Sequence, residues 1–243
     1  MKNLATALFA LLPLATTLAQ DAPTAPPQEP QTPTAAEREQ LRVELVEMAR
    51  LDQLHRTPVS WGTTDPKELA RLEALDDDAQ LEETKRRWRE RVRLPKSQED
   101  ELMAKQRLLD KANFDKLIGW IRSYGYPDPK RLGIDAPPPV VVLIHADLEW
   151  FAPVRDVLLA EAKAGRLNPK KFAAVSDRKA QHAGGRQLYG MCRRFDSKRN
   201  VVLPPEIEDI DATNRARAAL GLEPLTEYLI VPAKGAAVDN AKK

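Results

Sequence analysis

The chain has 243 residues, with 38 Lys and Arg against 36 Asp and Glu (formal net charge +2), 20 Pro, 10 Gly and a single Cys. That length allows one medium domain or two small ones. The balanced charge argues against a dedicated nucleic-acid surface, the lone Cys192 excludes an internal disulfide or a cysteine-cluster metal site, and a mean hydropathy of −0.49 argues against a polytopic membrane protein.

Residues 1–19 read as a secretory signal peptide. Lys2 lies in a short positive start, Leu4 to Leu18 is uncharged and rich in Leu and Ala, and Thr17 and Ala19 stand at the small-residue positions before a cut ahead of Gln20. An uncleaved anchor helix is the competing reading. Pro13 interrupts the run, however, and about fifteen apolar residues are few for a span that needs roughly 20. The protein is therefore expected in the periplasm or secreted, with no membrane span after cleavage. In an oxidising compartment Cys192 has no internal partner, and it is expected to be buried and inert. Residues 20–34 carry Pro23, Pro26, Pro27, Pro30 and Pro33 without apolar periodicity, which predicts a disordered tether. Residues 233–243 form a loose tail. Between them, 35–232 is expected to fold as one domain with a charged insertion at 61–95.

Residues 35–56 predict a helix with Leu41, Leu45 and Met48 in one stripe. Asp52 takes the next position on that stripe and Gln53 sits beside it, where a solvated acid is out of place. Thr57-Pro58 is expected to end the helix. In the insertion, Asp65-Pro66 starts a helical stretch, and the basic run from Lys85 to Arg93 follows Asp76, Asp77, Asp78, Glu82 and Glu83. Those acids favour a self-neutralised, solvated helix over an anionic-polymer patch.

A helix from Ser97 to Tyr124 places Leu109, Asn113, Leu117, Trp120 and Tyr124 on one face, with Asp110 three residues before Asn113. Val140 to Ile144, followed by His145-Ala146-Asp147, reads as a buried strand by propensity, with a helix as competitor. The choice bears on chemistry: a strand puts His145 and Asp147 on one face, whereas a helix separates them. Further helices are predicted over 151–164, with Pro153 in the first turn, and over 168–182, carrying Asp177 and Arg178. Residues 186–195 and 200–203 predict a β-hairpin whose first strand shows Gln187, Tyr189 and Met191 on one face. Asp209 or Asp211 caps a last helix ending at Leu220, and Leu222, Leu225 and Tyr228 pack a closing segment. The expected fold is mainly α: a single helical domain with a small β-hairpin near 186–203.

Several of these motifs, taken in order, resemble a bacterial family known as a domain of unknown function. They are Asp52-Gln53 followed by Arg56; Asp110 and Asn113 before Tyr124-Gly125 and Pro127; His145-Ala146-Asp147; Asp177-Arg178; Gln187, Tyr189 and Gly190; and Gly221-Leu222 with Pro224-Leu225. The resemblance spans roughly residues 35–229, apart from the insertion, and implies a helical segment before His145. It departs at two places. The family's Gln before His is Ile144 here, and its Thr-Gln after Tyr-Gly is Met191-Cys192. If those amides are ligand contacts in the family, the departures imply a different ligand or lost activity in this chain.

Buried polar side chains need partners, at about 1–3 kcal/mol each if left unpaired. Asp52, Asp110, Asn113, His145, Arg178, Gln187 and Tyr189 are therefore expected to share one polar cluster. Three functions compete for it. The preferred one is a binding or interaction module for an unidentified small molecule or protein, with the cluster as internal scaffolding. The second is a hydrolase with His145 as general acid–base, Asp52 or Asp110 orienting it, and Gln53, Arg56, Asn113, Asp177, Arg178, Gln187 and Tyr189 as binding groups. The third is a metal site of His145 with Asp52, Asp110 or Asp147. No metal ligand set is assigned: the chain has three His, none paired at ligand spacing, and no nucleotide, nucleophile-elbow or zinc-protease motif.

Overall fold

A computed structural model describes residues 29–196 and 198–231. The expected leader (1–19), the tail (233–243) and residues 20–28 of the expected tether lie outside the described residues. Residues 29–34 are not free chain. The Gln31 N–H donates to Ser123 O (2.9 Å) and Pro33 is buried. Thr34 forms a reciprocal capping box with Glu37 at the start of helix α1, Ala35–Gln53. The folded part thus begins a few residues before the predicted boundary.

The first helix buries Leu41, Leu45, Met48 and Asp52, the stripe read from the sequence. It stops at Gln53, however, and restarts as α2, Arg56–Trp61. Pro58 does not end the helix. It lies in the first turn of α2, where a missing N–H removes no helical bond. The break comes earlier because a side chain has entered the ladder. The His55 N–H, which in a continuous helix would bond Leu51 O, donates instead to Gln106 Oε1 (2.9 Å), while Gln106 Nε2 donates to Leu51 O (3.0 Å). One buried amide replaces one peptide-to-peptide bond.

The charged insertion folds as α3, Pro66–Glu73, and α4, Asp77–Arg89, N-capped by Asp65 and Asp76. Its charges largely neutralise each other. Lys85 pairs with Glu82, and Arg86 with Glu83 and Glu90. The buried Arg87 reaches Glu83, Glu68 and Trp61 O. Clamped by Arg86 first and then Arg87, the Glu83 carboxyl is held down at about 2.

Helix α5, Lys96–Tyr124, is the spine of the molecule and packs against α1, α2 and the later α7. It ends at Gly125 (φ +71°), where a Cβ would fall 2.7 Å from Arg166 Nε, so only glycine allows the chain to turn there. A short α6, Pro129–Leu132, follows. The segment 140–147 is helical at its start: α7 spans Val140–His145, and the strand alternative fails. The helix predicted over 151–164 is divided into α8, Leu148–Phe151, a 3-10 turn at Ala152–Val154, and α9, Arg155–Lys163. Pro153 sits in that turn, where its missing N–H leaves a gap in the helical hydrogen-bond ladder. Helix α10, Pro169–His182, is N-capped by Asn168 as expected.

The hairpin is shorter than predicted. Strands β1, Arg194–Asp196, and β2, Val201–Leu203, pair antiparallel with Phe195 opposite Val202. Residues 187–192 form no strand beyond an isolated bridge of Gln187 to Ile207; the amides of Leu188, Tyr189 and Met191 are drawn onto Asp177 instead. A parallel pair that the sequence reading missed joins β3, Glu206–Ile207, to β4, Leu229–Ile230. Between them lies α11, Ile210–Ala218, capped by Asp209. The core gathers Met48, Phe114, Leu117, Leu143, Phe151, Leu158, Phe172 and Tyr189 from these elements. The fold is mainly α with a small β-hairpin.

Candidate functional site

The stripe of α1 brings Asp52 into the interior at 2 % exposure, facing α5. Arg56, four residues on and just past the helix break, turns its guanidinium between two acids. Nη1 donates to Asp52 Oδ1 (3.2 Å) and to Asp110 Oδ1 (3.0 Å), and Nη2 donates to Asp110 Oδ2 (2.6 Å). The fork on Asp110 is bidentate, a geometry that Lys cannot reproduce. Gln106, one turn before Asp110 on α5, adds a bond from Nε2 to Asp110 Oδ1 (2.9 Å). Gln53 Nε2 donates to Asp52 Oδ2 (2.6 Å). His145, the last residue of α7, places Nδ1 2.8 Å from Asp52 Oδ1. Asn113, one turn beyond Asp110, donates to Met48 O (3.3 Å) and so ties α5 to α1 beside the cluster. Thus Asp52, Gln53, Arg56, Asp110 and His145 do converge, with Asn113 next to them.

The expected single cluster is in fact two, with no hydrogen bond or ion pair between them among the described residues. Asp177, 1 % exposed on α10, forms the second. Its carboxylate accepts the backbone N–H groups of Leu188 (2.8 Å), Tyr189 (3.0 Å) and Met191 (2.8 Å). Burial raises its pKa, and those three donors and Arg217 work against the rise. Gln187 closes the same loop on itself, donating to Cys192 O and accepting from the Cys192 N–H. Gly190 has φ +64°, and a Cβ there would lie 2.5 Å from Leu225, so the loop is also locked to the closing segment. The buried Tyr189 ring packs edge-on against Phe172. Asp177, Gln187 and Tyr189 therefore build a loop clip and do not reach His145. Arg178 points elsewhere: it is exposed and has no hydrogen bond or ion pair among the described residues.

Two participants escaped the sequence reading. Gln106 is fully buried, and the pattern Gln106, Asp110, Asn113 at spacings of four and three was there to be read. Lys179, 6 % exposed, donates to Ile144 O (2.7 Å) and also to Ala146 O, the carbonyls on either side of His145. It thereby satisfies the C-terminal end of α7. Burial, aided by nearby Arg178 and opposed by Asp147, lowers its pKa to about 8. Its position seven residues after Phe172 on the buried face of α10 was the available signal.

Of the residues considered for a metal, His145, Asp52 and Asp110 converge through Arg56 without forming an ion-holding group among the described residues. Asp147 is held by Arg107 (2.6 Å) and Asp110 by Arg56, and among the described residues no three His, Cys, Asp or Glu side chains are grouped to hold an ion. His145 is half-buried, and its Nε2 makes no hydrogen bond among the described residues. Several clefts lie elsewhere among the described residues, three of which bear on the sequence reading. One of about 480 Å³ is lined by Phe114 and Trp150, one of about 550 Å³ lies between α1 and α3 with Gln53 at its edge, and one of about 250 Å³ lies between α7 and α10. No family model, no curated protein and no solved structure matches this chain.

Proposed function

We propose that this protein is an exported binding or interaction module in which the Asp52–Arg56–Asp110 network is internal scaffolding. The observation that carries the reading is saturation. Asp52 Oδ1 and Oδ2 and Asp110 Oδ1 and Oδ2 each accept a hydrogen bond from a protein side chain, and both acids are buried, so their charges are already met by internal partners. Export rests on the leader read at residues 1–19 and on the lone Cys. The partner is a small molecule or a protein. Nucleic acid is disfavoured by the balanced charge and by the ion pairs within α4.

One observation favours a second reading. A carboxylate on His145 Nδ1 fixes the ring and leaves Nε2 uncommitted, the arrangement of an acid–base pair in hydrolysis. Turnover decides between the two. Purified protein and His145→Ala are assayed against ester, amide and phosphate substrates. The binding-module reading expects no turnover that depends on His145, and hydrolysis lost in the variant overturns it. Mass spectrometry of the exported chain is expected to find Gln20 at its N-terminus; a chain retaining Met1 contradicts cleavage.

A further inference from the structure

The cleft between α7 and α10 differs in chemistry from the one beside Trp150 and the one between α1 and α3. Lys171, Ala174, Val175 and Arg178 stand at positions i, i+3, i+4 and i+7 of α10, so they share one face. Val140 and Ile144, one turn apart on α7, face them, and Cys192 closes the end. The middle of the cleft is therefore aliphatic, and a cation stands at each end of its α10 wall, two helical turns apart. Both cations are exposed, and neither Lys171 nor Arg178 has an acidic partner among the described residues. The volume, about 250 Å³, is just below the usual range of roughly 300–1,000 Å³ for ligand pockets, so any occupant is small. Ile144 and Cys192 give this cleft an apolar and a weakly polar wall opposite the α10 face.

We propose that this cleft binds a small amphipathic carboxylate, with its head on the Arg178 guanidinium and its tail against Val140, Ile144, Val175 and Cys192. Arg178 suits the head because its planar fork matches a carboxylate and no acid among the described residues competes for it. The aliphatic floor suits a short alkyl or aryl tail. Lys171 adds a second positive charge at the far end, which selects against cationic ligands.

The inference names the ligand class for the binding-module reading, and it does not depend on what His145 does. Octanoate is the probe, with octanol and octylamine as its neutral and cationic counterparts, titrated calorimetrically into the purified protein. Because Cys192 is the chain's single thiol, its alkylation by iodoacetamide reports on the cleft alone. Octanoate is expected to bind saturably and to slow alkylation, octanol to bind at least tenfold more weakly and octylamine not at all. Arg178→Gln, at an exposed position, is expected to fold normally and lose about tenfold in octanoate affinity. Ala174→Leu, which fills the cleft, is expected to abolish binding. Failure of octanoate to saturate, or unchanged affinity in both variants, overturns the ligand class. Neither result touches the non-catalytic reading, which only His145-dependent turnover overturns.

Discussion

Asp52 Oδ1 lies 2.8 Å from His145 Nδ1, so a carboxylate from the first helix meets an imidazole 93 residues later in the chain. The contact fastens the end of the short α7 to α1, while Lys179 holds the carbonyls on either side of the same histidine. Asp52→Asn keeps the shape but removes the charge that faces Arg56 and His145. The expected loss is about 1–3 kcal/mol, read from urea unfolding, because a buried hydrogen-bonded charge is replaced by an amide with one acceptor fewer. An unchanged midpoint would show that the contact carries no stability.

Gln106 acts as a substitute peptide between α1 and α2. Gln106→Leu is nearly isosteric but strands the His55 N–H and leaves Asp110 short of one donor. The expected cost is about 2–4 kcal/mol, for three lost hydrogen bonds at roughly 1 kcal/mol each. Amide hydrogen exchange supplies the local check: His55 should exchange faster in the variant, and unchanged protection there would contradict the proposed ladder insertion.

The Lys179 ammonium gives a pH dependence of fixed sign. The folded group titrates near about 8, against an ordinary 10.5. Between those values the unfolded chain holds more protons than the folded one, so stability rises with pH across that window and is lost as pH falls through 8. Urea midpoints from pH 7 to pH 10 should therefore rise more steeply in the wild type than in Lys179→Met. Parallel profiles would mean that the amine is not desolvated.

Asp177 organises residues 188–191 through three backbone donors. Asp177→Ala removes the two oxygens that accept all three amides and is expected to cost at least about 3 kcal/mol, at roughly 1 kcal/mol or more per stranded amide. It should also raise the alkylation rate of Cys192, because Gln187 grips that residue from the same loop. A destabilised variant whose thiol remains as slow as in the wild type would separate the loop from the clip.

The helices of this fold were legible where apolar spacing was sustained, as in α1, α5 and α10. The misplaced polar groups Asp52, Asp110 and Asn113 were legible for the same reason: each broke an otherwise apolar stripe. The break after Gln53 was not legible, because its cause is a side chain from residue 106, and no local signal marks a tertiary hydrogen bond. The length of the hairpin was misjudged likewise. Residues 187–192 have strand-like alternation, but Asp177 captures their amides, and a long-range acceptor outweighs local propensity. Arg178 was placed with His145 on chemical grounds alone. Its position next to Asp177 on α10 turns it outward, toward a cleft formed with α7.

The scaffold account rests on Arg56 binding Asp110 as a paired, buried unit. A double-mutant cycle of Arg56→Met and Asp110→Leu, measured by urea unfolding, tests it most directly. The account predicts a coupling of about 2–3 kcal/mol, with the double variant more stable than the sum of the single losses implies, because each single change strands the other member of the pair, whereas the loss of Arg56 from Asp52 is common to Arg56→Met and the double variant. A coupling near zero, with additive losses, would contradict it.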